Sequence, residues 1–479
     1  MGIGWRRRRH GGLIRRVTDA FAAIGPDLHG KLAEVVARNR LPGAVAGVVH
    51  RGELAWSAAT GLADVTTGQP AEPGTLFRIA SITKPFTGTA IMQLRDAGLL
   101  DLDDPAVRWL PELRGAVSDL APIETVTIRR MLSHESGLPA EPPGTDWSVP
   151  AYRGDPGPVL RRPGDITLRL PPNFRHKYSD LAYQLLGEIV TRVTGTPFPQ
   201  YLSESVLAPL GLQATAFEPL EDSLRDRRAT GYLELGLSDE PHPAPPMPPV
   251  WAEGGLWSDL GDLARWIAFQ LGAYQDRERT GGVLSAASLR EMHRPRYLTD
   301  DEWTQAWGIA WCGRRRGDTV WISHSGWVPG FTSGICFDPR SQVGAIILLN
   351  GEHFTSIELA ISLAETARVA CSAHASQAGP ATRATPGACQ PLLGLYARPG
   401  HTYVVRVEWR DGRLAVAGPE PDGWRFSLSP TSDPDVFAVD PDFPQAGDLV
   451  RFHRTADGRI SSMSLFDATF TRLAPVPDR

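Results

Sequence analysis

Apolar stretches near both ends of the first 371 residues have the pattern of β-strands. Residues 44–65, AVAGVVHRGELAWSAATGLADV, contain two apolar runs on either side of the polar turn HRGE. Comparable runs return only in the last third of this region, in AWGIAWCG, DTVWISHSG, FTSGICFDP and VGAIILLNG. Short apolar runs bounded by turn residues are typical of strands. We therefore predict an antiparallel sheet to which both ends of residues 26–371 contribute.

The residues between these strand patterns are mainly helical. From residue 80 to 300 the apolar positions follow helical spacing, interrupted by proline-rich connections such as DEPHPAPPMPPVW at 239–251. A further helical pattern, SIELAISLAETARVA at 356–370, follows the last strand. Strands at both ends with helices between them predict an α+β fold, in which helices flank the sheet and form an inserted lobe.

The chain changes character after residue 371. Residues 372–388 are small, polar and contain Pro and Gly, which is typical of a linker. In residues 389–474, VVRVEWRDGRLAVAG and LVRFHRTADGRISSMSLF alternate apolar and polar positions around an Asp-Gly turn. Asp-Gly between alternating strands is a strong hairpin signal. Residues 389–474 are therefore predicted to form a small β-barrel or sandwich.

Charge and hydropathy exclude several classes of partner. The net charge is −5 and the pI is about 6.2, so the chain as a whole does not attract nucleic acid or anionic membrane. The exception is an arginine-rich start, for which we expect a disordered basic tail over residues 1–25. No apolar stretch is long enough to span a bilayer, and the four cysteines form no C-x-x-C pair. We expect a cytoplasmic protein without metal or cofactor.

Ser81 and Lys84 form the first candidate site. In RIASITKPF they are three residues apart at the start of a predicted helix, so they share one face. Lysine occurs in this chain only at positions 31, 84 and 177, which makes a chance pairing uncommon. A desolvated lysine can act as a base, whereas arginine cannot. The pair predicts a nucleophile with its base; the alternative is a helix-surface lysine.

Two further motifs follow in the sequence. In HKYSDLAYQLLGEIV, Ser179 or Asp180 can cap a helix, which leaves Tyr178 on the loop before it. In WISHSGWVPGFTSG, a predicted strand carries His324 and Gly326. Taken singly, Tyr178 could be a half-buried core tyrosine. His324 could be an edge-strand histidine beside a bulge-forming glycine.

The ordered motifs Ser-x-x-Lys, Tyr-Ser-Asp and His-Ser-Gly resemble those of the serine β-lactamase and penicillin-binding-protein superfamily. The likeness is to class C β-lactamases and their esterase, D-aminopeptidase and DD-peptidase relatives. It extends over about residues 30–370, including TIRRMLSHESGLP and EGGLWSDLGDLARW. The C-terminal region is similar to the lipocalin-like barrel appended to some members.

The resemblance implies a role for each motif. Ser81 would be the acylated nucleophile. Lys84 as an uncharged amine and Tyr178 as a phenolate would share the base role, with a charged lysine lowering the pKa of the tyrosine. The backbone N–H groups of Ser81 and Trp327 would form the oxyanion hole. The implied partner is a small-molecule or peptide acyl substrate.

Two positions depart from the family pattern. Asp180 stands where the family has asparagine, and it could either hold Lys84 charged or cap the helix. His324 stands where β-lactamases and DD-peptidases usually carry a lysine that attracts the substrate carboxylate. A neutral imidazole would attract a carboxylate less well. This departure favours esters, amides or thioesters over β-lactams.

Three functions are compatible with the motifs. The first is a serine hydrolase, the second an acyltransferase with the same nucleophile, and the third an inactive binding or sensor module. Four tryptophans, Trp257, Trp307, Trp311 and Trp327, could favour a bulky acyl acceptor, although aromatic residues more often form core. His134 and His176 are interpreted as turn residues rather than catalytic ones, and the orientation of Lys177 is left open.

Overall fold

The computed structural model describes residues 11–143, 157–233, 242–244, 251–275, 280–352, 356–377, 386–399, 404–410, 412–418, 424–440, 447–465 and 468–473. The chain forms two compact units, residues 1–374 and 375–479. Most of the predicted 239–251 connection and residues 378–385 of the predicted linker lie outside the described residues.

The first unit is built on an antiparallel sheet. Its described strands are β1 (Gly43–His50), β2 (Glu53–Asp64), β3 (Gln69–Pro70), β4 (Phe77–Arg78), β5 (Tyr232–Leu233), β6 (His242–Pro243), β7 (Trp257–Ser258), β8 (Tyr297–Leu298), β9 (Gln305–Trp307), β10 (Cys312–Arg316), β11 (Thr319–Val328), β12 (Phe331–Asp338) and β13 (Val343–Leu349). Nine of them form the main sheet in the order β3-β2-β1-β13-β12-β11-β10-β9-β8. Because β1 lies beside β13, both ends of the region meet at the centre of the sheet, which confirms the prediction.

Helices cover both faces of this sheet. The described helices are α1 (Gly11–Arg38), α2 (Thr83–Asp96), α3 (Ala106–Trp109), α4 (Ile128–Leu132), α5 (Gly157–Arg161), α6 (Asp180–Thr194), α7 (Phe198–Leu202), α8 (Asp222–Arg225), α9 (Leu260–Gly272), α10 (Ala286–His293) and α11 (Ser356–Gln377). Short 3-10 helices span Ala80–Ile82, Pro111–Gly115, Ile123–Thr125, Pro163–Asp165 and Gln390–Leu392, and a π-helical turn spans Ser203–Leu207.

Strand β1 is apolar from Gly43 to Val49 because both of its faces are covered. Val45 and Val49 belong to a large core with the inserted helical lobe, whereas Ala46 and Val48 belong to a second core with α1 and α11. Successive side chains of a strand point to opposite faces, so a strand covered on both faces is apolar throughout.

Residues 11–25 are helical, which differs from the disordered tail predicted over residues 1–25. They form the first half of α1, whose residues Phe21, Leu28 and Leu32 are buried in the second core. The arginines obscured this apolar stripe in the sequence. Residues 1–10 lie outside the described part of the chain. Likewise α11 extends to Gln377 and so includes the first residues of the predicted linker.

The second unit contains a closed antiparallel barrel. Its described strands are β14 (Gly394–Ala397), β15 (Val404–Arg410), β16 (Arg413–Ala417), β17 (Arg425–Pro430), β18 (Val436–Val439), β19 (Leu449–Arg454), β20 (Ile460–Leu465) and β21 (Ala468–Arg472). They pair in chain order, and β21 returns to β14. Alternating residues such as Val405, Val407, Leu414 and Val416 fill the interior. The predicted barrel is confirmed.

None of the helices in the part of the chain that the structure describes has both the length and the apolarity needed to cross a bilayer.

Candidate active site

Ser81 lies in the turn that leads into α2. It is the middle residue of the 3-10 helix Ala80–Ile82, and it is partly exposed. The preceding residue, Ala80, has a φ of 48°. A left-handed backbone costs an L-residue about 1–2 kcal/mol and persists only where the surrounding structure enforces it. The tertiary packing around this turn therefore holds Ser81 in place.

Strand β11 supplies much of that packing. A Cβ on Gly326 would lie 2.1 Å from the carbonyl oxygen of Ile79 and 3.1 Å from Cβ of Ala80, so only glycine lets the strand approach the turn so closely. On β12, Ser333 donates a hydrogen bond of 2.9 Å to the same carbonyl of Ile79. Trp327, which follows Gly326, is 38% exposed. This packing places the backbone of β11 beside the turn that carries Ser81.

Lys84 is completely buried and has its donors directed at three oxygen atoms. Its Nζ lies 3.0 Å from Ser81 Oγ, 2.5 Å from Asp180 Oδ1 and 2.7 Å from the backbone oxygen of Glu253. An ammonium has three N–H donors and no acceptor, so this geometry suits the charged form. Burial by itself lowers the pKa of Lys84, but attraction to Asp180 and Tyr178 outweighs it and raises the pKa above the usual value.

Asp180 is the counter-ion of Lys84. Its carboxylate forms the ion pair with Lys84, and 17% of its side-chain surface is exposed. The cap of α6 is Ser179, whose hydroxyl accepts the Ala182 N–H. Of the two roles left open for Asp180, the structure thus assigns it the first, which is to hold Lys84 charged. An uncharged Lys84 amine, as implied by the resemblance, does not fit this arrangement.

Tyr178 stands on the loop before α6, as predicted. Lys84 and Ser81 lie close enough to its hydroxyl to influence the pKa of Tyr178. Lys84 Nζ is 5.0 Å from the centre of its ring. The structure therefore brings Ser81, Lys84 and Tyr178 together.

Lys84 lowers the pKa of Tyr178, as predicted, but the net pKa is not depressed. Burial raises the pKa of Tyr178, and the proximity of Lys84 offsets only part of that rise, so the pKa lies above its usual value. The resting site consequently contains a phenol and an ammonium instead of a phenolate and an amine.

His324 is buried on β11 as a neutral imidazole. Burial and the nearby charge of Lys84 lower its pKa to about 3. Its Nδ1 lies 2.7 Å from the carbonyl oxygen of Ser325, to which it must donate. Its ring meets the edge of Trp307, with 5.5 Å between the ring centres. The position that holds a lysine in related β-lactamases therefore carries no charge here.

Sequence reasoning missed one neighbour of these residues and interpreted another as a turn residue only. One is the backbone carbonyl of Glu253, for which no side-chain signal exists. The other is His134, whose ring lies 4.1 Å from that of Tyr178. Its place in LSHESGLP, a segment that already resembled the family, is the signal that could have identified it. Among the described residues, no group of three His, Cys, Asp or Glu side chains is arranged to hold a metal ion.

Comparison with known proteins shows which family this chain resembles. A family model described as Beta-lactamase matches residues 28–368. Penicillin-binding protein 4 of Amycolatopsis lactamdurans is 31% identical over 372 residues, which are 76% of this chain and 94% of that protein. Esterase EstB of Burkholderia gladioli is 35% identical over 210 residues, which are 42% of this chain and 53% of that protein.

A solved structure shares the fold. The octameric penicillin-binding protein homologue from Pyrococcus abyssi superposes with a TM-score of 0.59 at 20% sequence identity. The match covers 93% of this chain and 99% of that one.

Proposed function

This chain belongs to the beta-lactamase family, and from that premise we propose that it is a serine hydrolase that cleaves an ester, amide or related acyl substrate through an acyl-enzyme on Ser81. Family membership confirms the resemblance identified from the motifs. The observation that carries the proposal is the 3.0 Å contact between Lys84 Nζ and Ser81 Oγ, with the Tyr178 ring centre 5.0 Å from the same Nζ.

Proton transfer in the proposed reaction centres on Tyr178. Once Tyr178 has lost its phenolic proton to solvent, it takes the proton of Ser81 as Oγ bonds to the substrate carbonyl carbon. The carbonyl π pair moves onto oxygen, where the Ser81 and Trp327 N–H groups stabilise it. The oxyanion collapses, the bond to the leaving group breaks, and Tyr178 returns the proton to that group. Water then repeats the sequence and releases the acid.

Lys84 acts in this scheme as a fixed positive charge. Because its ammonium donates to three oxygens and has no acceptor, it does not take the serine proton itself. Its charge lies 5.0 Å from the centre of the Tyr178 ring, where it stabilises a phenolate. The role differs from the shared base that the resemblance implied, and it follows from the pairing with Asp180.

Replacing Tyr178 by phenylalanine should reduce kcat/KM by about 10²–10⁴-fold, the usual range for loss of a proton-transfer group. Since the pKa of Tyr178 is raised, the phenolate fraction is small at neutral pH and grows as pH increases. The wild-type kcat/KM for a p-nitrophenyl ester should therefore rise from pH 6 to pH 9, and the variant should lose this rise. A fully active Tyr178→Phe enzyme would show that another base operates.

Replacing His324 by lysine should increase acylation by a penicillin-like carboxylate relative to acylation by a neutral ester. The wild-type imidazole is uncharged because its pKa is about 3. Burial lowers the pKa of an introduced lysine, so the assay belongs at pH 6, where more of it is charged. Intact-protein mass spectrometry gives both acylation rates, and His324→Gln serves as the neutral control. The same preference in both variants would contradict the role assigned to His324.

Acyl transfer is the less supported alternative. Trp257, Trp307 and Trp311 are at most 5% exposed and form core, so of the four tryptophans only Trp327 presents surface to an acceptor. Turnover measured with and without added amines or alcohols distinguishes the two reactions, and we expect water to be the productive acceptor.

A further inference from the structure

His134 contacts the backbone on both sides of Tyr178. Its carbonyl oxygen accepts the Lys177 N–H at 2.8 Å, and its ring Nδ1 accepts the Ser179 N–H at 3.1 Å. These two N–H groups belong to the residues directly before and after Tyr178. One residue therefore fixes the short segment from which the phenol projects.

The imidazole also packs directly against the Tyr178 ring. The two rings are stacked, with 4.1 Å between their centres and 25° between their planes. On its other sides the His134 ring meets Trp307 at 4.7 Å and Tyr183 at 5.2 Å, and the side chain has no exposed surface. Tyr183 is itself anchored, because its hydroxyl donates to the Leu132 carbonyl at 2.7 Å.

The backbone of His134 is strained in a way that serves these contacts. Its φ is 59°, in the left-handed region that few side chains adopt at no cost. In this conformation, the carbonyl oxygen and the ring of His134 both face the segment that carries Tyr178. Local strain of this kind is found where the surrounding structure, or function, requires it.

We infer that His134 is a positioning residue for Tyr178, which holds the phenol at Ser81 through the two backbone hydrogen bonds and the ring stack. The inference rests on the proposed function, in which Tyr178 receives the Ser81 proton. Displacing a reacting group by about 1 Å can reduce a rate by about 10²-fold, so a loose tyrosine would be a poor acceptor.

The chemistry of the ring fits this role. An Nδ1 that accepts a backbone N–H carries no proton, so the imidazole must be neutral with its proton on Nε2. Burial and the charge of Lys84 keep the pKa of His134 well below its usual value, which preserves the acceptor. Nε2 finds no hydrogen-bond partner among the described residues, so the ring is held by Nδ1 and by packing.

Two substitutions at position 134 separate the acceptor from the backbone strain. Asparagine tolerates positive φ and has its Oδ1 at the same bond separation as Nδ1, so His134→Asn can keep the bond to Ser179 N–H. Glycine accepts the same φ but has no acceptor. We expect His134→Asn to keep at least about a tenth of wild-type kcat and His134→Gly to lose about 10²-fold, with KM changing less than threefold in both.

A double-mutant cycle with Tyr178→Phe tests whether His134 acts through the tyrosine. If it does, His134→Gly should have almost no further effect on the acylation rate in the Tyr178→Phe enzyme. If loss of the ring instead loosened the whole site, His134→Gly would lower the acylation rates of the wild-type and Tyr178→Phe enzymes by the same factor. Such additivity would overturn the inference. Equal activity of His134→Gly and wild type, or equal impairment of the Asn and Gly variants, would also overturn it.

His176 offers a matched control. It is a second histidine beside Trp307, with 5.3 Å between ring centres, and its ring is 5.8 Å from that of His134. Its buried Nε2 has no hydrogen-bond partner in the described residues, so His176→Phe should stay within about threefold of wild type. Thermal unfolding of each variant identifies any loss due to misfolding. Unchanged fluorophosphonate labelling of Ser81→Ala would refute the proposed function itself, and a fully active Tyr178→Phe enzyme would refute the proton-transfer role of Tyr178. Additive effects in an enzyme that does depend on Tyr178 would refute only the positioning role of His134, so the failures are distinguishable.

Discussion

Replacement of Ser81 by alanine is expected to reduce ester turnover by about 10⁴-fold or more, the largest single effect at this site. Removing the nucleophile of a serine hydrolase leaves only the contribution of binding and the oxyanion hole. Ser81 is partly exposed in a short turn, and alanine fits the same backbone, so the fold should persist. Labelling by a fluorophosphonate, followed by intact-protein mass spectrometry, reads out the nucleophile directly.

Ser57 provides the control for this experiment. It lies on β2 with an exposed side chain, so Ser57→Ala should be labelled at the wild-type rate. Equal labelling of wild type and the Ser81→Ala variant would show that another residue is the nucleophile.

Replacement of Lys84 by methionine is expected to have the second largest effect and to impair both activity and stability. The change removes the charge that stabilises a Tyr178 phenolate, which should lower kcat/KM by about 10³-fold or more. It also leaves the largely buried Asp180 carboxylate without its cation. Breaking a buried ion pair by removing one partner typically costs about 3–5 kcal/mol of unfolding free energy.

A second substitution separates the two consequences. Lys84→Met combined with Asp180→Asn removes the unpaired carboxylate, so the unfolding free energy should recover while activity stays low. Urea unfolding and p-nitrophenyl ester hydrolysis measure the two quantities. Recovery of activity in the double variant would contradict the role of Lys84. Wild-type turnover that disappears in Lys84→Met would in turn exclude the inactive binding module.

The pH dependence of the ion pair has a definite sign. Because the folded pKa of Lys84 is raised, the stability it contributes is fully present below the unfolded value of about 10.4. That stability is lost only as pH rises through the folded pKa. We attribute to Lys84 the difference in unfolding free energy between wild type and the double variant. This difference should therefore be constant from pH 6 to pH 9. A marked decline in this window would mean that Lys84 is not held in its charged form.

Local patterns accounted for the elements of the fold. The apolar runs around HRGE became β1 and β2, Ser179 caps α6, and Gly195 ends it with a φ of 71°. The hairpins after residue 389 close into a barrel. Each of these features depends on residues close together in the chain, whose periodicity and turn chemistry can be recognised directly. The exception was α1, whose first half was predicted to be disordered because of its arginines although the helix carries a buried apolar stripe.

The candidate site also has features that the sequence shows and features that depend on the folded structure. The spacing of Ser81 and Lys84, the loop position of Tyr178 and the glycine at 326 are visible in the amino-acid sequence, and so is the family they indicate. Which groups are charged depended instead on the folded structure. Asp180 reaches Lys84 from 96 positions away, and Glu253 adds its carbonyl from 169 positions away. Burial and distance between remote segments determine a pKa, and neither can be obtained from spacing along the chain. The sequence determined which reactive groups are present, and the tertiary structure decided their charge and the neighbour, His134, that positions one of them.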